Sequence, residues 1–167
     1  MVLVRKGGIV MRNCLVSMRS LPKNLIQRVP SLVALPGTQV NIINCEFMGN
    51  EHNITAGCVF INADDVVMSS TSFTNFKGGA IFSVANSKQS TIIQDCEIRK
   101  GQLVGVYFQG EDAKQVLLRT KIDHINGLGV RIHRGNRAKV KGCDITFCLN
   151  GIEVLSADPL IIMNRIR

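Results

Sequence analysis

"VNIINCEFMGN" (residues 40–50) packs an apolar pair, a polar residue, a cysteine, an acid and a phenylalanine into one short run. The same order returns in "IIQDCEI" (residues 92–98) and in "VKGCDI" (residues 140–145). Anchoring each unit on the cysteine or its equivalent gives Cys14, Cys45, Thr71, Cys96, Thr120, Cys143 and Arg165. After a first gap of 31 residues, the gaps are 26, 25, 24, 23 and 22. Self-similarity at such a period marks a repeat architecture.

Fixed offsets from the anchor repeat as well. Three positions before it stand Met11, Ile42, Met68, Ile93, Leu117, Val140 and Ile162. Two positions after it stand Val16, Phe47, Phe73, Ile98, Ile122, Ile145 and Arg167. The anchor and the residue two later share a strand face, because strand side chains alternate. The apolar residue three before joins that face only if the chain bends in between. Asn13, Asn44, Ser70, Asp95 and Gly142 sit at the bend, and short polar residues and glycine suit it. The cysteine therefore faces inward, just past a corner. Immediately after it, Glu46, Ser72, Glu97, Lys121 and Asp144 form an outward column in which neighbouring opposite charges make a surface ladder.

A second strand lies between anchors and opens on Gly57, Gly79, Gly105, Gly129 and Gly151. Alignment on these glycines puts Cys58, Ala80, Val106, Val130 and Ile152 inward, with Phe60, Phe82, Phe108, Ile132 and Val154. Val59, Ile81, Tyr107, Arg131 and Glu153 then point outward. No segment has the period of an amphipathic helix, so the helical half of a leucine-rich repeat is missing. A WD40 blade needs about twice this length. What remains is a coil of parallel strands, one unit per turn, right-handed by the rule for parallel crossovers. Equivalent residues then stack about 4.8 Å apart. The fold class is all-β: a right-handed parallel β-helix of about six to seven turns filling residues 1–167. Residues 17–30 are a loop insertion that explains the long first gap, and Gly49 to Gly57 is a smaller excursion carrying an Asn53-Ile54-Thr55 triplet. With no polar cap at either end, the expectation is a longer chain or ends covered by another protein or another copy.

Composition fits this fold. Apolar residues make up 46% of the 167, which argues against disorder. No stretch approaches the roughly 20 apolar residues of a membrane span, and no secretory leader is legible at the start. Six cysteines lacking any CxxC pair, mostly at core-like strand positions, read as reduced, buried residues and not as disulfides or a zinc site. An intracellular, cytoplasmic location and no cofactor or metal are expected.

"VNIINCEFMGN" and "GAIFSVANSKQSTIIQDCEIRKG" (residues 79–101) resemble right-handed parallel β-helix repeats of the pectin-lyase-like superfamily, over nearly the whole chain. That superfamily includes pectate lyases, polygalacturonases and phage tailspikes. It also includes non-enzymatic intracellular modules of F-box proteins and of the SHC SH2-domain-binding protein. The chain is closest in character to these last, with inward cysteines and few aromatics. The resemblance implies either carbohydrate chemistry or a scaffold, and the catalytic motifs decide against the first. Asp64-Asp65 matches the polygalacturonase acid pair only in name, His133 is followed by Arg134 and not glycine, and "RAK" (residues 137–139) is a turn. No acid trio accompanies Arg119 or Arg131, and only Tyr107 offers an outward ring. His124 and His133 read as surface histidines.

The net charge is +8, and many of the basic side chains, from Arg99 to Lys141, lie in the later half. Arg134 and Arg137 flank one turn, and Lys139 and Lys141 alternate outward on the next strand. A basic patch of this kind suits an acidic protein or polymer, whereas nucleic acid is disfavoured without stacking aromatics. The expected function is a non-catalytic interaction or structural scaffold module. Its candidate face is Val59, Ile81, Tyr107, Arg131, His133, Arg134, Arg137, Lys139 and Lys141. The alternatives are a polysaccharide lyase or hydrolase and a binder of acidic polymer.

Overall fold

A computed structural model describes residues 2–17, 30–49 and 57–167. Residues 18–29 of the expected loop, and 50–56 with the Asn53-Ile54-Thr55 triplet, lie outside the described residues. The chain is a right-handed coil of parallel strands with three faces. The first face holds β1 (Val2–Val4), β4 (Leu32–Ala34), β7 (Gly57–Ile61), β10 (Gly79–Val84) and β13 (Val104–Gln109), with the later parts of β15 (Lys121–His133) and β17 (Asp144–Leu155). The second face is a seven-stranded sheet of β2 (Gly7–Arg12), β5 (Thr38–Ile43), β8 (Asp65–Ser69), β11 (Ser90–Gln94), β14 (Lys114–Leu118), β16 (Lys139–Lys141) and β18 (Leu160–Ile162). The third face holds β3 (Leu15–Ser17), β6 (Glu46–Met48), β9 (Ser72–Phe76), β12 (Glu97–Gly101), the early parts of β15 and β17, and β19 (Arg165–Ile166). Because β15 and β17 run unbroken around one corner, the first and third faces join into a single twelve-stranded sheet.

The bend between the second and third faces answers why a cysteine recurs. Asn13, Asn44, Ser70, Asp95, Arg119 and Gly142 all adopt positive φ, between 43° and 66°. That left-handed residue turns the chain, and the anchor after it points inward. Each anchor then donates to the carbonyl two residues back: Cys45 Sγ to Ile43 at 3.3 Å, Thr71 Oγ1 to Ser69 at 3.0 Å, Cys96 Sγ to Gln94 at 3.2 Å, Thr120 Oγ1 to Leu118 at 3.0 Å. The site wants a small side chain that fits a dry core and carries one donor. Cysteine and threonine meet both needs. In the last turn the repeat shortens by one more residue. Asn164, not Arg165, takes the anchor place, donating to Val140 O at 3.0 Å and accepting from the Cys143 amide at 2.8 Å. Met163 is the bend there, and Arg165 pairs with Asp144 in the charged column.

Inside, the expected columns on the second and third faces hold. Ile42, Met68, Ile93, Leu117 and Val140 are fully buried, as are Phe47, Phe73, Ile98, Ile122 and Ile145. Phe47 stacks on Phe73 with centroids 5.1 Å apart and planes 11° apart.

The first face corrects the glycine alignment. Gly79 pairs with Val104, not Gly105, so Ile81 meets Val106 and Phe82 meets Tyr107. Ile81 also meets Val59, and Phe82 meets Phe60. A one-residue slip in a period-two strand turns every side chain to the other side. Val59 and Ile81 are therefore core residues with 0% exposure, and Phe60 and Phe82 are half-buried on the outer surface. The expected internal column of Phe60, Phe82 and Phe108 does not form. Phe108 lies inside between Ser83 and Ile132. Ser83, brought inward, needs partners. Its Oγ lies 3.0 Å from Thr91 Oγ1 and accepts from Gln115 Nε2 at 2.6 Å, and Asn136 Nδ2 donates to Gln115 Oε1. This buried chain of side-chain hydrogen bonds ties the first two faces together.

Candidate interaction surfaces

The outward column of the first face runs Val33, Phe60, Phe82, Tyr107, Arg131, Glu153, one residue per turn. Strict register brings each side chain against the next. Phe82 meets Tyr107 edge to face, with centroids 5.5 Å apart and planes at 75°. The Arg131 guanidinium carbon lies 5.9 Å from the Tyr107 ring centre. Arg131 Nε is 2.7 Å from Glu153 Oε2; both atoms are shielded, yet neither makes a well-directed hydrogen bond, so the contact is chiefly Coulombic. Tyr107 Oη lies 3.2 Å from His133 Nδ1 in the neighbouring outward column. That column reads Val84, Gln109, His133, Leu155. Ile61 and Ser83, on the turns before, are buried.

The nine residues singled out from sequence thus divide. Tyr107, Arg131 and His133 come together on the first face. Val59 and Ile81 lie beneath it in the core. Arg134, with φ of 60°, and Arg137 occupy the turn between the first and second faces, where Arg137 Nε reaches Asp112 Oδ1 at 3.1 Å. Lys139 and Lys141 project from the second face. Phe60 and Phe82 were missed as surface residues. Counting ten residues on from Thr71, Cys96 and Thr120 reaches Ile81, Val106 and Val130, which is the true inward column. That count was the signal that would have exposed the two rings.

Several carboxylates are held in cross-turn pairs. Arg119 donates to both oxygens of Asp95 at 2.7 Å, which holds that carboxyl below its ordinary pKa. Arg165 does the same for Asp144, with Nε 2.8 Å from Oδ1. Lys121 lies 3.9 Å from Glu97. Burial works against the charge of Asp123, but hydrogen bonds from His124 and Thr146, each at 2.8 Å, outweigh it and keep the carboxyl ionised. His124 also stacks on Phe147, 4.8 Å between ring centres. Two acids with no such pairing meet at one place. Glu111 and Asp158 line an open cleft of about 440 Å³ together with Asp112 and Arg137. Among the described residues, no group of three or more His, Cys, Asp or Glu side chains is arranged to hold a metal ion. No helix among them is long and apolar enough to cross a membrane.

Four of the described thiols are not set up as nucleophiles. Burial raises the pKa of Cys45, Cys143 and Cys148, and pushes Cys96 to about 11. A reactive thiolate needs the opposite environment.

Parallel pairing on every turn agrees with a family match described as the right-handed beta helix region, over residues 80–166. The chain belongs to this right-handed β-helix family. The match spans the turns that carry Phe82, Tyr107, Arg131 and the paired acids. A comparison with curated proteins finds no match. The right-handed β-helix is a frame compatible with catalytic and non-catalytic roles alike, so function has to be argued from the surfaces.

Proposed function

We propose that the chain is a non-catalytic protein-interaction or structural scaffold module within a larger protein or assembly. The supporting observation is the first-face ladder. Phe60, Phe82, Tyr107 and Arg131 stand on successive turns of a rigid sheet, half-exposed and in register. Aromatic residues and arginine are the types enriched at protein interfaces and at their energetic centres. The polar groups of the ladder engage one another, Tyr107 with His133 through a hydrogen bond and Arg131 with Glu153 through charge. An intracellular setting belongs to this proposal. It is supported by the unpaired Cys14, Cys45, Cys96, Cys143 and Cys148.

The test is affinity capture from source-cell extract with the wild-type chain, Phe82→Ser and Tyr107→Ser, each checked for folding by circular dichroism. The proposal expects a defined set of proteins lost with the ladder variants. An identical set from all three chains would remove the ladder from the argument.

A second reading, a polysaccharide lyase or hydrolase, is favoured by the cleft of Glu111, Asp112, Asp158 and Arg137. It requires cleavage of pectin-like polymers by the purified chain, abolished in Glu111→Gln or Asp158→Asn. Such cleavage would displace the scaffold proposal.

A further inference from the structure

The second face carries chemistry that the first and third faces lack. Its central outward column is Val67, Ile92, Val116, Lys139, on four consecutive turns in register. Val67 is 38% exposed, and Ile92 and Val116 are half-buried. Lys114 and Lys141 flank the column, one two residues before Val116 and the other two residues after Lys139. Among the described residues, no carboxylate lies within ion-pair distance of Lys114, Lys139 or Lys141. On the neighbouring corner and third face, Arg119, Lys121 and Arg165 are each paired across turns. A flat apolar column and a group of uncompensated cations thus share one surface.

We infer that this face docks an acidic amphipathic α-helix of a partner protein, laid along the coil axis with its C-terminal end over Lys139 and Lys141. The inference rests on the scaffold reading above and names a partner class for it. Spacing selects the helix. Outward side chains recur about every 4.8 Å along the coil axis. A helix repeats its apolar stripe about every 5.4 Å, close enough to stay in step over four turns. An extended peptide repeats same-side residues about every 6.7 Å and falls out of step by the second turn. Charge selects the acidic partner. The strands of this face contribute a single carboxylate, Asp65. A second copy would therefore oppose cations with cations. A plain polyanion would leave Val67, Ile92 and Val116 uncovered. The helix direction follows from its dipole, whose negative end is the C-terminus.

The probe is a capped synthetic helix of about four turns with leucine at i, i+3, i+4, i+7 spacing and glutamate on the remaining surface. Binding to the full chain is measured by fluorescence anisotropy, and the footprint by hydrogen exchange. The expected result is saturable binding with protection at Val67, Ile92 and Val116. A sequence-scrambled peptide and the Lys139→Glu chain should each bind about tenfold more weakly, the scale of one lost close charge contact. Lys114→Glu, at an exposed position, repeats the charge test should Lys139→Glu fold poorly. Tyr107→Ser should bind normally. Equal binding of oligoglutamate or of the scrambled peptide overturns the inference, as does no binding at millimolar peptide. Self-association in sedimentation abolished by Lys139→Glu would assign the face to a second copy and also overturn it. A footprint on the Tyr107 ladder refutes this face while leaving the scaffold proposal standing.

Discussion

Ile81→Thr and Phe82→Thr form a matched pair that tests the register of the first face. Threonine is β-branched and suits a strand at either position, so each change reports mainly on its surroundings. Ile81 has 0% exposure. Thr at 81 removes about two methylene equivalents of burial, near 1.6 kcal/mol. It also buries a hydroxyl among apolar neighbours, worth about 1–3 kcal/mol if unpaired. The total is about 3 kcal/mol. At 82 the loss is the edge-to-face contact with Tyr107, about 1 kcal/mol, and part of one ring's burial. We expect about 1.5 kcal/mol there. For a chain of this size, each kcal/mol moves the melting temperature by about 2–4 °C. Ile81→Thr should melt about 6–12 °C lower than wild type, and Phe82→Thr about 3–6 °C lower. Circular dichroism melts, with urea midpoints as a second measure, decide the matter. A Phe82→Thr loss equal to or larger than that of Ile81→Thr would mean the phenylalanine faces the core, and the register assigned above would be wrong.

Acid should weaken the fold in a defined window. Asp95 and Asp144 are held below the ordinary carboxylate pKa by Arg119 and Arg165. A depressed folded value gives stabilisation that is complete above the unfolded value near about 3.9 and is lost as pH falls through the folded value. Urea midpoints should hold steady from neutrality down to about pH 5 and then decline, with a shallower decline in Asp95→Asn/Asp144→Asn. In the folded chain, Cys96 should resist alkylation, because a pKa of about 11 against an ordinary 9.0 cuts its thiolate fraction about a hundredfold. Half-exposed Cys14 should label before buried Cys45, Cys96 and Cys143, as mass spectrometry of timed iodoacetamide reactions will show. Ser70 sits at the bend with φ of 49°. Ser70→Gly should stabilise by about 0.5–1 kcal/mol and Ser70→Val should destabilise, both measured by urea denaturation.

The second and third faces, and the corner between them, were legible in the amino-acid order. Cys45, Thr71, Cys96 and Thr120 each require a compact donor just past a left-handed residue. That demand is local, so it recurs in every unit whatever lies elsewhere. The paired column Glu97, Lys121, Asp144 was legible for the same reason: stacking turns one unit of sequence into one step of distance. The candidate surface on the first face was legible only in part. Tyr107, Arg131 and His133 lie together on that face, whereas Val59 and Ile81 exchange places with Phe60 and Phe82.

Hydropathy alone does not choose between those pairs, since all four side chains are apolar and either set would fill a core. Glycine alignment gives one answer at Gly79, and the ten-residue count from Thr71, Cys96 and Thr120 gives the other. The choice was made by the hydrogen-bonded pairing of Gly79 with Val104, a contact across 25 residues of chain. Repeat length, coil class and inward cysteines follow from short-range order. Which rings reach solvent follows from register between turns, because alternation makes a single-residue offset invert the whole face.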